Sequence, residues 1–173
     1  GSEMCIRDRS DRQVTFIPGD AEQLSFPSGQ DLIVSCSALQ WFVSPELFFK
    51  RCNALLSGHG YFAFSTFGKE NLKEIAAVTG SGLHYYSLEE LKKSLSMHYN
   101  IVTAGEERIR LTFATPLDVL YHLKHTGVTA VCRQAWTKGD LQEFCDKYAK
   151  LFSCGNAVTL TYHPLYIIAR KKP

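Results

Sequence analysis

The sequence lacks the features that mark several classes of protein. No apolar run approaches the roughly 18–20 residues of a membrane span, and no secretory signal is visible, so we predict no membrane association. The net charge of +2 is too small to indicate a nucleic-acid partner. The six cysteines form no Cys-x-x-Cys pair and no spacing typical of zinc ligands. We therefore expect free thiols in the cytoplasm and no metal site.

The composition indicates one domain with its own core. The chain has 173 residues, of which 45% are hydrophobic. Residues 1–10, GSEMCIRDRS, are charged and have no apolar period, so we interpret them as a non-native or disordered leader and leave them out of the fold reasoning. The strand-like VTFIPGD follows abruptly. This abrupt start favours a domain whose earlier part is absent.

Strand and helix patterns alternate along the chain, which predicts an α/β fold with a mostly parallel sheet. We expect strands at 14–17, 31–35 and 61–67, two more around the Gly-Glu-Glu turn at 105–107, and one long closing strand from 157. Pro45 opens a predicted helix that ends at Gly58. Ser87 with Glu90 forms a capping box, and further helices begin near residues 70, 115 and 138.

The stretch DLIVSCSALQWF, residues 31–42, runs from an apolar strand into small polar residues. Ligands of open α/β sheets sit beyond the carboxyl ends of the strands, where small residues let a flat ligand approach the backbone. Gln40 and Trp41 could then cover the pocket. The alternative is a tight turn with Trp41 in the core. Asp20, after the first strand, is either an acceptor for a ligand or a turn residue.

Together these segments resemble a known family. GDAEQLSFP followed by DLIVSCSALQW resembles the cofactor-binding half of a class I S-adenosylmethionine-dependent methyltransferase. The segments FAFSTFG, YYSLEELKKSL, FATPLDVLYHLKHTGV and LTYHPLYIIARK resemble the malonyl-acyl-carrier-protein O-methyltransferase family of biotin synthesis. The resemblance implies a Rossmann-like fold with strand order 3-2-1-4-5-7-6 and an antiparallel final strand.

The resemblance also implies how the chain is organised. The first two strands and the Gly-rich loop of the family are absent. Residues 11–173 would then be the C-terminal two thirds of a single methyltransferase domain. A helical insertion on the substrate side would occupy about 115–153.

The resemblance assigns site residues but no certain catalytic residue. Those expected to bind S-adenosylmethionine are Asp20, Ala21, Glu22, Ser35, Cys36 and Ser37. Those expected to face the substrate are Gln40, Trp41, His122, His125 and Thr126. The last three share one face of a helix by their spacing. The alternative is that both histidines cap the helix or pack against the sheet.

The implied activity is methyl transfer to the free carboxylate of a malonyl thioester on an acyl-carrier protein, impaired without the Gly-rich loop. A non-catalytic scaffold or partner subunit, or a methyltransferase with another small acceptor, remains an alternative. Acyl-carrier proteins are acidic, so exposed cations are candidates for docking: Lys92, Lys93, Arg108, Arg110, Lys124, Arg133 and Lys138.

Overall fold

The computed structural model describes residues 15, 17–127 and 136–173. Its helices and strands, in chain order, are β1 (Gln30–Cys36), a 3-10 helix (Leu39–Trp41), α1 (Pro45–Leu55), β2 (Leu56–Phe67), α2 (Lys73–Thr79), α3 (Leu88–Leu95), β3 (Tyr99–Glu106), β4 (Ile109–Phe113), α4 (Pro116–His125), α5 (Lys138–Phe152), β5 (Ser153–Cys154), β6 (Ala157–Tyr162) and β7 (Pro164–Lys171). The leader at 1–10 lies outside the described residues, as does most of the strand predicted at 14–17, and Thr15 and Ile17 belong to no strand. No helix within the described ranges is long and apolar enough to cross a membrane.

The main sheet has four strands in the order β1-β2-β7-β3. β1 pairs with β2 in parallel, whereas β7 lies antiparallel between β2 and β3. Three strands therefore run in one direction and the last strand in the other. This arrangement confirms the predicted mostly parallel sheet with an antiparallel final strand, and its order matches the 4-5-7-6 half of the family order.

One face of the main sheet carries the first core. Phe62 and Phe64 of β2 and Ile167 of β7 are almost fully buried, and α1 and α3 cover them. The Tyr99 hydroxyl at the start of β3 donates to the Phe49 carbonyl of α1 at 2.8 Å, which satisfies a phenol that would otherwise be unpaired in the core. This bond holds α1 against the sheet at the end opposite the carboxyl ends of β1 and β2.

A second, smaller sheet in the order β4-β6-β5 continues from the main sheet. The chain passes between the two sheets twice. β3 lies in the main sheet and the next strand, β4, in the small sheet; β6 lies in the small sheet and the next strand, β7, in the main sheet. The predicted single closing strand is therefore wrong. The strand breaks at His163, whose carbonyl accepts from Gly68 N–H at 2.7 Å instead of pairing within the ribbon.

The small sheet and helices α4 and α5 form a unit that we call the cap. Its core contains Val119 of α4, Tyr148 of α5 and Leu160 of β6, all fully buried, and α2 packs against it. Glu74 of α2 accepts from the Thr161 backbone N–H at 3.0 Å and from the Thr161 hydroxyl at 2.5 Å. The expected helices at 115–153 are thus present, and β5 joins them near the end of that range.

Local signals located most helix starts correctly. Capping boxes occur at Ser87, Thr115 and Thr137, each with its acidic partner three residues later. The end of α1 was predicted wrongly, because the helix stops at Leu55 and Gly58 lies in β2. Gly60 instead allows β1 and β2 to lie close together, since a Cβ at this position would lie 2.8 Å from the Gln30 carbonyl oxygen of β1.

Candidate functional site

The candidate site lies at the edge of the main sheet where β1 and β2 reach their carboxyl ends. β1 ends at Cys36 and β2 at Phe67, and Pro164 at the start of β7 pairs with Phe67. β3 also ends at this edge, and the cap leaves the sheet from it. Ligands of open α/β sheets bind beyond this edge. The fold therefore brings the strand-end loop and the cap helices to one side of the molecule.

The side chain of Gln40 joins the ends of β1 and β2. Its amide nitrogen donates to the Ser37 carbonyl at 2.6 Å, and its amide oxygen accepts from the Thr66 hydroxyl at 3.2 Å. Ser37 adopts a left-handed backbone conformation with φ of 49°. Its N–H donates to the Ser65 carbonyl at 3.0 Å. These contacts stabilise a conformation that costs a non-glycine residue of the order of 1–3 kcal/mol.

The strand-end loop presents small groups at this edge. Ser35 is buried, whereas Cys36 and Ser37 are exposed. The side chain of Trp41 is also largely exposed, so its ring is not part of the core. This excludes the alternative in which Trp41 only fills the interior. Ser35, Cys36, Ser37, Gln40 and Trp41 thus lie in one stretch at the candidate edge of the sheet.

The loop at Asp20 contacts the same region through Glu22. One carboxylate oxygen of Asp20 accepts from Glu22 N–H at 2.9 Å and the other from the Gln23 amide at 2.8 Å, so Asp20 forms the turn that was the alternative interpretation. The two oxygens of Glu22 accept from the backbone N–H groups of Val43 and Ser44, each at 2.9 Å.

Glu22 therefore joins this loop to the N-terminus of α1. Its charge lies where the helix dipole favours an anion. Ala21 packs partly against the first core. The first predicted cofactor segment therefore contacts the start of α1, and both of its carboxylates already accept two hydrogen bonds each from the protein.

On the cap side, His122 belongs to a cluster of aromatic side chains. Its Nε2 lies 3.0 Å from the Tyr162 hydroxyl, and its ring centroid lies 5.1 Å from that of Phe113. The Tyr162 ring in turn lies 6.4 Å from Phe67 at the end of β2. Burial raises the pKa of the Tyr162 phenol, so the hydroxyl stays protonated at neutral pH.

The other two predicted residues of α4 are placed differently. His125 is exposed at the end of the helix. The Thr126 hydroxyl donates to the carbonyls of His122 and Leu123 at 3.1 and 3.2 Å. Thr126 therefore satisfies the end of its own helix, and its side chain also lies beside Tyr162, the hydroxyl that His122 contacts.

Several residues at this edge have no counterpart among the sequence predictions. The Tyr85 hydroxyl accepts from the Asn71 amide at 3.1 Å, and Asn71 accepts from His163 N–H at 3.2 Å. Burial raises the pKa of Tyr85. A narrow cleft follows the same edge and is lined by Leu39, Gln40, Thr66, Phe67, His84, Tyr85 and Tyr86. The adjacent Tyr85 and Tyr86, after a glycine-containing loop, are a sequence signal that could have indicated these residues.

Cations near the junction of the two sheets are paired with carboxylates. Arg108 contacts both Glu70 and Glu106, and Lys73 contacts Glu70 at 3.0 Å. The Arg108 guanidinium and Lys73 lower the pKa of Glu70 to about 2. Glu106 also lies 3.2 Å from His163 Nε2. This cluster connects β3, α2 and the break between β6 and β7.

The candidate docking cations fall into three groups. Arg108 and Lys92 are paired, the latter with Glu89 at 2.8 Å. Arg133 lies outside the described residues. The remaining four are exposed: Lys93, Arg110, Lys124 and Lys138. Within the described part of the chain, no group of three or more histidine, cysteine, aspartate or glutamate side chains could hold a metal ion.

Comparisons with known proteins agree with this architecture. A family model described as a methyltransferase domain matches residues 2–64. The crystal structure of a Bacillus halodurans protein superimposes with a TM-score of 0.67 at 17% identity, covering 98% of this chain and 77% of that one, which shows a shared fold.

Two relatives show the family of this chain. The malonyl-[acyl-carrier protein] O-methyltransferase of Bacteroides thetaiotaomicron is 56% identical over 172 residues, covering 94% of this chain and 66% of that protein. The protein of the same name from Chlorobium luteolum is 38% identical over 176 residues, covering 99% of this chain and 67% of that protein. The chain thus spans about two thirds of the length of these relatives. It belongs to the malonyl-[acyl-carrier protein] O-methyltransferase family.

Proposed function

We propose that the protein transfers a methyl group from S-adenosylmethionine to the free carboxylate of a malonyl thioester carried by an acyl-carrier protein, in the cytoplasm. The observation that carries the proposal is the meeting of two segments at one sheet edge. The Ser37–Gln40–Thr66 contacts lie on the strand side, and the His122–Tyr162 pair lies on the cap side. The names of the relatives support the choice of O-methyl transfer and of the acceptor.

The strand-end loop fits the nucleoside part of the donor in part. Cys36 and Ser37 are small, exposed and held in a defined conformation by Gln40. The carboxylate of Asp20 is exposed and retains acceptor capacity beside its two hydrogen bonds. Both oxygens of Glu22 accept from backbone groups at the start of α1, so we assign Glu22 the role of positioning this loop against α1. S-Adenosylmethionine would supply an electrophilic methyl group bound to a sulfonium.

The acceptor needs alignment more than activation. A malonyl carboxylate is ionised at pH 7, because carboxyl pKa values lie near 4, so no general base is required. Its oxygen forms a bond to the methyl carbon while the bond from that carbon to sulfur breaks, and S-adenosylhomocysteine leaves. An anion and a cation become neutral, so a site that excludes water favours the reaction.

The side chains at the cap suit such an acceptor. The phenol of Tyr162 stays protonated, and so does that of Tyr85, because burial raises both pKa values. A neutral hydroxyl orients a carboxylate by a hydrogen bond without neutralising its charge. Arg108, a strong cation at the junction of the two sheets, is already paired with Glu70 and Glu106. The acceptor oxygen would therefore keep its nucleophilicity.

The thiol of Cys36 offers a test of the donor site that does not depend on turnover. Cys36 and Cys154 are both exposed, but Cys154 lies in β5 of the cap. We expect S-adenosylhomocysteine to slow alkylation of Cys36 by iodoacetamide and to leave Cys154 unchanged, as measured by peptide mass spectrometry. Equal rates for Cys36 with and without the ligand would contradict the proposed donor site.

Methyl transfer itself is tested with matched carrier proteins. Malonyl-carrier protein has a free carboxylate and should be methylated, whereas acetyl-carrier protein lacks one and should not. The readout is the mass of the carrier protein after incubation with S-adenosylmethionine. Methylation of neither carrier protein, together with no protection of Cys36, would favour the non-catalytic scaffold or partner subunit. Methylation of an unrelated small acid in preference to malonyl-carrier protein would favour a methyltransferase with another acceptor.

A further inference from the structure

A second cavity lies between α1 and α3, beside the site described above. Its volume is about 510 Å³, within the range of about 300–1,000 Å³ that is usual for ligand pockets. Buried apolar side chains form its floor: Pro45, Phe49 and Leu91. Polar side chains surround it, among them Ser94 and Ser96 of the α3 region. The cavity follows α3 from Glu90 to Ser94, which corresponds to about 6 Å along a helix, and continues past the end of α3 to Met97.

The cavity connects to the candidate site through two shared residues. His84 and Tyr86 line both this cavity and the narrow cleft that contains Gln40 and Thr66. Their rings lie edge to face with centroids 5.1 Å apart. A linear ligand that lay along α3 would therefore end at these two rings, which also line the cleft at the sheet edge. No other part of the proposed function uses the cavity.

The lining suits a chain that alternates methylene and polar groups. The apolar floor accepts methylenes, and the serine hydroxyls and His84 offer hydrogen-bond partners for amides. Lys93 at the rim is exposed and has no carboxylate within salt-bridge distance among the described residues. Of the two acidic residues at the rim, Glu90 is paired with Lys69, and Glu46 lies in the first turn of α1. Lys93 is thus available to an anion.

We propose that this cavity, which we call the α1–α3 groove, holds the flexible arm of a carrier-bound malonyl thioester and guides the acyl group to the sheet edge. The arm is a phosphopantetheine, a linear diamide that bears a phosphate at its carrier end. The apolar floor contacts its methylenes, and Lys93 contacts its phosphate. The inference rests on the proposed function and names the path by which the substrate enters.

The test measures binding of a stable probe, the malonyl amide of phosphopantetheine, by calorimetry. Ser94→Trp places a large ring in the groove and should weaken binding about tenfold. Glu89→Trp places the same ring on the exposed side of α3 and should leave binding unchanged. Circular dichroism of both variants verifies that the chain still folds.

A charge reversal provides a second, less disruptive measurement. Lys93→Glu should weaken binding of the phosphorylated probe about threefold and leave malonyl-pantetheine amide, which lacks the phosphate, unaffected. Lys92→Glu, at a position outside the groove, is the control and should have no such selective effect.

The outcomes separate this inference from the proposed function. Probe binding that Ser94→Trp and Lys93→Glu both leave unchanged would overturn the inference. So would the absence of probe binding in a protein that binds S-adenosylhomocysteine, and the proposed donor site would then stand. Absence of both binding reactions would count against the proposed function as well.

Discussion

Gln40 links the ends of β1 and β2, and the energy of its contact with Thr66 can be measured by replacing the two side chains singly and together. In Gln40→Ala, the hydroxyl of Thr66 loses its acceptor at a position that is 4% exposed. An unsatisfied buried polar group costs about 1–3 kcal/mol, whereas loss of the bond to the more exposed Ser37 carbonyl costs about 1 kcal/mol or less. We therefore expect the free energy of unfolding to fall by about 2 kcal/mol.

The companion change, Thr66→Val, removes the hydroxyl and keeps the shape of the side chain. It deletes one hydrogen bond, so we expect a loss of about 1 kcal/mol. In the double variant no hydroxyl is left without a partner. Its total loss should be close to that of Gln40→Ala alone, which corresponds to a coupling energy of about 1 kcal/mol.

Urea denaturation of the four proteins measures this coupling, with the midpoint and slope fitted together. Losses that add to within about 0.3 kcal/mol would refute the link between the strand ends. A second readout is the affinity for S-adenosylhomocysteine. If the loop holds the donor as proposed, Gln40→Ala also weakens that affinity, because Ser37 is released from its left-handed conformation.

Three further changes test other parts of the site. Glu22→Gln replaces the charge that accepts two N–H groups at the start of α1, and we expect a thermal shift equivalent to about 1 kcal/mol; an unchanged melting temperature would contradict its positioning role. Tyr162→Phe removes the partner of His122 and should lower kcat severalfold with little loss of stability, whereas unchanged methyl transfer would remove this pair from the site. Arg108→Gln should reduce the dependence of stability on pH, because Arg108 is the largest cause of the lowered pKa of Glu70. The stability that the Glu70 carboxylate contributes is present above pH 4.5 and is lost as the pH falls toward about 2, so the melting temperature of the variant should change less between pH 7 and pH 3 than that of the parent; equal slopes would contradict the ion pair.

The sequence predicted the features that depend on neighbouring residues. Ser87 with Glu90 and Thr115 with Pro116 mark helix starts through contacts within one turn, so their position follows from spacing alone. The apolar run at 31–35 likewise indicated a strand, but it did not indicate how exposed that strand is, because Leu32 and Val34 of β1 are more than half exposed. The family resemblance rested on such segments and extended the prediction to the order of the sheet.

The site required contacts between residues far apart in the chain. His122 meets Tyr162 across 40 positions, and Glu22 reaches Val43 and Ser44 across more than 20. Nothing in the local pattern indicates which acceptor a side chain finds. For the same reason the spacing of His122, His125 and Thr126 could not tell that Thr126 would bond to its own helix.

The sequence by itself determined where most helices begin, which strands are apolar and which small polar residues follow the end of β1, because caps and periodicity act over a few residues. Only the tertiary structure decided that the closing strand divides at His163 between two sheets and that Gly60 allows β1 to approach β2. It also decided that the α1–α3 groove meets the site at His84 and Tyr86. These features depend on which distant backbone groups pair and which surfaces pack against each other, and neighbouring residues in the sequence do not determine either.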